Sequence, residues 1–217
     1  MFTGIVQAVG EVRALERRGD GARARIATPA GFLDGVAVGD SVAVSGVCLT
    51  AVAVEPAAFE ADLSGETLAR TTLGALAPGA RVNLEKALTL STPLGGHLVT
   101  GHVDGVATVA AREAAGGAVR MAFAIPRALA RYVARKGSVC VDGVSLTVNA
   151  VTEEGFEVAL VPHTLAVTTL GALRPGARVN LEVDIVARYL ERLLEGRGGE
   201  GLSWERLAAL GYGRGEG

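Results

Sequence analysis

Reactive side chains concentrate in Gly95–Gly105, where His97 and His102 sit among glycines in the run Gly-Gly-His-Leu-Val-Thr-Gly-His-Val-Asp-Gly. Imidazole exchanges protons near neutral pH and also ligates metals. No third ligand cluster stands beside these two histidines, so a metal site is not expected. His97 has a plain alternative role as a cap of the linker. Cys48 and Cys140 lie in strand-like sequence, where a cysteine alternating with apolar residues is ordinarily packing. Hydroxyls group after two turn signals: Thr50 follows Ser45-Gly46, and Ser145 and Thr147 follow Asp142-Gly143. Strand preference alone accounts for the threonines. Imidazole, thiol and hydroxyl are nevertheless the groups that acid-base and nucleophilic chemistry uses.

The elements that position these residues are written twice. Thr3-Gly4 recurs as Thr100-Gly101, Ser41-Val42 as Ser138-Val139, Leu49-Thr50 as Leu146-Thr147, and Pro78–Glu85 returns complete as Pro175–Glu182, all at one constant offset. About half of the paired positions are identical, far beyond chance matching. A period this long is domain-sized, which implies a duplicated domain and not a solenoid. The expected organisation is 1–97 and 98–184 as two barrels, with 185–217 as a terminal helix and tail.

Net charge is −2 over 217 residues, without a block of like charges, so neither nucleic acid nor an acidic membrane surface is implied as a partner. The long uncharged runs contain Ser, Gly, Thr or Pro and fall short of a spanning helix. The start of the chain lacks a basic region followed by an apolar core, so no signal peptide is expected. Cys48 and Cys140 occupy non-equivalent positions of the two repeats, which suggests free thiols in a reducing cytoplasm.

Each half offers about six short strands with one or two helical turns, the pattern of a small Greek-key barrel. Ile5–Val12 and Ala24–Thr28 flank the turn Gly19-Asp20-Gly21. A short helix is expected in both halves, over Pro29–Val38 and over Pro126–Lys136. Ser45-Gly46 and Asp142-Gly143 predict two-residue hairpins. Glu66–Thr71 and His163–Thr168 suit helical turns, and Arg81–Glu85 and Arg178–Glu182 close the modules. The fold class is therefore all-β: two tandem six-stranded Greek-key closed barrels from an internal duplication, plus a C-terminal α-helix.

Asp184 is a good N-cap for Ile185–Glu195, whose apolar residues recur at helical spacing. This helix has no counterpart in the first half. It suits oligomerisation, although folding back on its own barrel satisfies the same periodicity. Gly196-Arg-Gly-Gly-Glu-Gly201 spells a dinucleotide fingerprint but follows a helix instead of a strand, and is taken as a linker. Ser203–Leu210 predicts a further short helix.

Met1-Phe-Thr-Gly-Ile-Val6, Gly46-Val-Cys-Leu-Thr50, Gly95–Asp104, Asp142-Gly-Val-Ser-Leu-Thr147, Thr168-Thr-Leu-Gly171 and Asn180-Leu-Glu-Val-Asp184 together resemble the alpha-type riboflavin synthase family over nearly the whole chain. The resemblance implies a cofactor-free dismutation. Two molecules of 6,7-dimethyl-8-ribityllumazine exchange a four-carbon unit, giving riboflavin and 5-amino-6-ribitylaminouracil. It also implies a homotrimer held by the terminal helix, reacting pairs formed between neighbouring subunits, and lumazine synthase as a further partner. Two copies of one substrate need two related sites, and holding both rings in contact accelerates the reaction through proximity.

By the same resemblance, substrate contacts in the first half fall on Gly4, Ile5, Val6, Cys48, Leu49, Thr50, Asp62, Leu63, Ser64, Gly65, Glu66 and Thr67. In the second half they fall on Gly101, His102, Val103, Lys136, Ser145, Leu146, Thr147, Val161, Pro162, His163, Thr164, Leu165 and Ala166. The implied catalytic group is His102 for proton transfer, Cys48 or Ser145 for addition or for orienting water, and Ser41, Thr50, Lys136 and Asp184 for polarising and positioning, with Phe2 shaping the site. Asp184 is equally explained as a helix cap. The differences between repeats (Ile5 and His102, Cys48 and Ser145, Gly39 and Lys136, Glu66 and His163) would let one barrel hold the donor and the other the acceptor.

An alternative of another class is a non-catalytic lumazine- or flavin-binding antenna protein on the same duplicated barrel. Relatives of that kind are expected to lose site residues in one barrel. Here Cys48-Leu-Thr50 and Ser145-Leu-Thr147 both stand, which favours the enzyme.

Overall fold

Alternating apolar residues bounded by glycine turns produce twelve strands in the computed structural model, which describes residues 1–195. The first six are β1 (Ala8–Arg18), β2 (Gly21–Ala27), β3 (Ser41–Val44), β4 (Val47–Glu55), β5 (Ala58–Leu63) and β6 (Arg81–Lys86). They close an antiparallel barrel in the order β1-β2-β5-β4-β3-β6, with β6 returning to β1. The second six are β7 (Gly105–Ala115), β8 (Ala118–Ala124), β9 (Ser138–Val141), β10 (Val144–Val151), β11 (Gly155–Leu160) and β12 (Arg178–Val183), and they repeat that order. The two-barrel expectation is met. Closure removes every exposed strand edge. Each interior is filled by its own apolar set, Val12, Ile26, Val42, Phe59, Leu73 and Leu84 in the first and Val109, Met121, Phe123, Phe156, Leu170 and Leu181 in the second.

The first strand starts and ends later than its sequence suggests. Thr3 and Gly4 are tied to the Glu85 carboxylate before the strand begins, and the charged Arg13–Arg18 continues β1 as the exposed arm of a hairpin with β2. The helix expected in both halves forms only in the second, as α2 (Arg127–Ala130). Gly31 and Gly35 explain the difference: both adopt left-handed φ of 79° and break the first-half segment into successive turns. Their counterparts, Ala128 and Tyr132, carry no such freedom. The helical turns after β5 and β11 do form, as α1 (Gly65–Arg70) and α3 (Pro162–Val167). Ser64 caps α1 by accepting from the Thr67 amide at 3.1 Å, whereas α3 begins on Pro162, which has no amide to satisfy.

The barrels meet at their hairpin tips. Ser45 and Asp142 have φ near 45° and Gly46 and Gly143 φ of 80°, the geometry of type I′ turns. The turns touch so closely that a Cβ on Gly46 would lie 2.7 Å from the Gly143 amide nitrogen, and one on Gly143 2.9 Å from that of Gly46. Buried asparagines lock this contact reciprocally. Asn83 donates to the Asp142 carbonyl and Asn180 to the Ser45 carbonyl, each at 2.8 Å. Their side-chain oxygens accept from the Thr169 and Thr72 amides at 2.8 and 2.7 Å. A small apolar cluster of Phe2, Ala43, Val99 and Cys140 fills the same seam, with Phe2 and Val99 joined by two backbone hydrogen bonds.

α4 (Ile185–Glu195) follows Asp184, carries no buried residue and exposes Val186, Tyr189, Leu190, Leu193 and Leu194. No described helix is long and apolar enough to cross a membrane. The Gly196–Gly201 linker and the Ser203–Leu210 helix lie outside the described residues.

Candidate active site

The segments entering each barrel cross to the other one. Gly4 is buried with φ of 75°, and its carbonyl accepts from the Ser145 amide at 2.7 Å. Gly101, with φ of 82°, does the same for the Cys48 amide at 2.9 Å. These contacts need glycine twice over, since a Cβ on Gly4 would meet the Ser145 Cβ at 2.6 Å and one on Gly101 the Cys48 Cβ at 2.5 Å. Val6 accordingly packs on the core of the second barrel and Val103 on that of the first.

The crossing sets loops from each half of the chain against the hairpin of the other half. Gly4, Ile5 and Val6 belong with Ser145, Leu146 and Thr147. Gly101, His102 and Val103 belong with Cys48, Leu49 and Thr50. The sequence could not place them, because a repeat reveals which residues are equivalent and not which barrel each loop reaches.

Around Cys48, the exposed Thr50 on β4 stands beside the Asp62 end of β5, and α1 presents Ser64 and Thr67 in mutual contact at 3.0 Å. Arg23 grips Asp62 with two hydrogen bonds of 2.7 Å, holding the Asp62 carboxyl below its ordinary range. Leu49, Leu63 and Leu146 point into the barrels and leave only backbone groups for a ligand. Glu66 is exposed and pairs with Arg70, while its counterpart His163 is exposed beside Val161, Pro162, Thr164, Leu165 and Ala166. Ser41 sits half-buried opposite Thr50 in the β3–β4 ladder. Lys136 is exposed with φ of 69°, a left-handed conformation adopted at the equivalent position by Gly39. His102 is exposed, its amide held by the Thr100 hydroxyl at 3.2 Å.

Phe2 has no exposed surface and lies in the seam cluster, directly before the Thr3-Gly4 segment. His97 is no mere linker cap: its Nδ1 lies 2.7 Å from the Ser145 Oγ. Burial pushes the His97 pKa down, partly opposed by the Asp184 charge, which favours the neutral ring. Its Nε2 is buried without a hydrogen-bond partner. A neutral imidazole against a hydroxyl, with a carboxylate nearby, can take the hydroxyl proton and activate either Ser145 or a water beside it. The repeat concealed His97 because the position has no counterpart in the first half.

The sites are thus alike in frame and unlike in reactive groups. Cys48, half-buried, occupies the place of Ser145 without an equivalent of His97. Cys140 is a different kind of thiol, fully enclosed in the seam, where burial pushes its pKa well up, away from nucleophilic use.

Both barrels match one family model, that of the lumazine binding domain, over residues 3–87 and 100–184. The chain is 50% identical to riboflavin synthase of Mycobacterium bovis over 202 residues, covering 91% of this chain and all of that one. It is 46% identical to riboflavin synthase of Photobacterium phosphoreum, over 89% of each chain. Among solved structures, LumP complexed with riboflavin superposes with a TM-score of 0.77 at 29% identity, and LumP complexed with 6,7-dimethyl-8-(1'-D-ribityl) lumazine with 0.76 at 27%. Each comparison covers 84% of this chain and 99% of the other. The chain belongs to the riboflavin synthase family, enzymes carrying two copies of the lumazine-binding domain.

Proposed function

We propose that this protein converts two molecules of 6,7-dimethyl-8-ribityllumazine into riboflavin and 5-amino-6-ribitylaminouracil by passing a four-carbon unit from one to the other, with no cofactor. The observation that carries this reading is the pair of crossed sites, equal in frame and unequal in chemistry. A dismutation needs two places for one substrate and different treatment of each. The amides of Gly4, Ile5, Gly101 and His102 are already donated within the protein, so the backbone of Val6 and Val103 is what suits the ring edges, and Thr50, Ser64, Thr67, Thr147 and Thr164 suit a polyhydroxylated tail. His97 with Ser145 and Asp184 would activate the nucleophile that adds to one ring. His102, exposed beside Cys48, would remove the methyl proton of the other, and Ser41 and Lys136 would polarise and orient.

Thr50, His102, Lys136 and His163 are exposed, a placement that would let the two rings meet between subunits. We assign the exposed apolar stripe of α4 to a homotrimer contact, and we place the enzyme in the cytoplasm, where lumazine synthase would supply its substrate. Likeness to LumP favours a second reading, binding without turnover. Incubation with the lumazine alone decides between them. Half a mole of riboflavin per mole consumed supports the dismutation; bound but unconverted lumazine supports the second reading.

A further inference from the structure

The carboxylates of Glu85 and Glu182 touch neither Cys48 nor Ser145, yet they hold the segments that do. Glu85, at the end of β6 in the first barrel, accepts from the Thr3 amide and hydroxyl at 2.7 Å each and from the Gly4 amide at 3.0 Å. Glu182, its equivalent on β12, accepts from the Thr100 amide and hydroxyl at 2.6 and 2.8 Å and from the Gly101 amide at 2.9 Å. Only about 4% of either residue is exposed. Three donors converging on one carboxylate make charge-assisted bonds, which are stronger and more directional than neutral ones. Burial raises both pKa values and the donated bonds oppose it. Beyond the clamp, the Gly4 carbonyl leads to the Ser145 amide in the second barrel, and the Gly101 carbonyl to the Cys48 amide in the first.

We propose that Glu85 and Glu182 are positioning residues that act crosswise, each on one barrel fixing the loop that completes the site on the other. Glu85 sets the Ser145 site and Glu182 the Cys48 site. A ligand-free measurement tests the wiring, and a turnover measurement, which alone rests on the proposed reaction, tests its use.

In the intact protein, Glu85→Gln replaces an acceptor oxygen by an amide that cannot receive the third bond. Amide hydrogen exchange at Ser145 is then expected to speed about tenfold or more while that at Cys48 stays within about twofold, and Glu182→Gln should give the reverse. Should either variant fail to fold, Thr3→Val and Thr100→Val remove one hydroxyl bond from the same clamps and should give the same crossed pattern more weakly. Equal acceleration at both amides, or acceleration confined to the variant's own barrel, overturns the proposal. In turnover with the lumazine, Glu85→Gln should be non-additive with Ser145→Ala and additive with Cys48→Ser. The opposite pairing overturns the functional coupling. Crossed exchange in a protein that does not convert the lumazine would instead count against the proposed reaction alone.

Discussion

His97 Nδ1 and Ser145 Oγ lie 2.7 Å apart, joining the segment between the barrels to the hairpin of the second. Burial lowers the His97 pKa, opposed in part by the Asp184 charge, which favours the neutral imidazole. His97→Gln, which can keep a hydrogen bond but cannot accept a proton, should lower kcat by about a hundredfold or more with a smaller change in KM. The wild-type acid limb should lie below the pH of free imidazole titration. A pH–rate profile for both proteins checks this; an unchanged kcat in the variant would remove His97 from the chemistry.

Gly101→Ala places a methyl group where the Cys48 Cβ already stands and forces alanine into a left-handed φ. A destabilisation of about 1–3 kcal/mol is expected by chemical denaturation, together with loss of ligand binding in the first-barrel site.

Asp142 is buried at the hairpin contact, and desolvation raises its pKa to about 7. The folded protein therefore binds this proton more tightly than the unfolded chain. The associated stability is fully present below the ordinary aspartate range, declines as pH rises from there to about 7, and is lost above it. Asp142→Asn keeps the turn and the acceptor for the Asn180 amide, and should flatten that slope in denaturation midpoints measured from pH 4 to 8.

Phe2→Ala should cost about 3–5 kcal/mol of stability, because the whole ring is buried in the seam. Activity should fall with it, through the loosened Thr3-Gly4 segment. Wild-type stability with impaired turnover would contradict this placement.

Ending the chain at Asp184 removes α4 and its exposed Tyr189, Leu190, Leu193 and Leu194. Folded barrels should persist by circular dichroism, while sedimentation reports a smaller species and turnover drops sharply. A fully active monomer would sink the inter-subunit site.

Much of this fold was legible because duplication samples each signal twice: Asp142-Gly143 states plainly the hairpin that Ser45-Gly46 only suggests. The failures have local physical causes. Gly31 and Gly35 prevent a helix that the second-half sequence supports. The segments led by Gly4 and Gly101 reach the opposite barrel through contacts made only after folding. Glu85 and Glu182, inside the most faithfully repeated motif, looked like the close of a strand, since nothing in a strand pattern says that a carboxylate will be buried under three donors. His97 carries no such signal either, since its position has no repeat partner in the first half.

The asparagine exchange between barrels has the form of an isologous dimer contact, in which every bond given is returned across a two-fold axis. Either barrel alone would present a hairpin tip and a buried amide that a second identical barrel satisfies. The chain is in this sense a homodimer whose halves share one polypeptide. Fusion is what allowed the two copies to diverge, because a substitution such as cysteine for serine no longer has to appear on both sides of the axis at once.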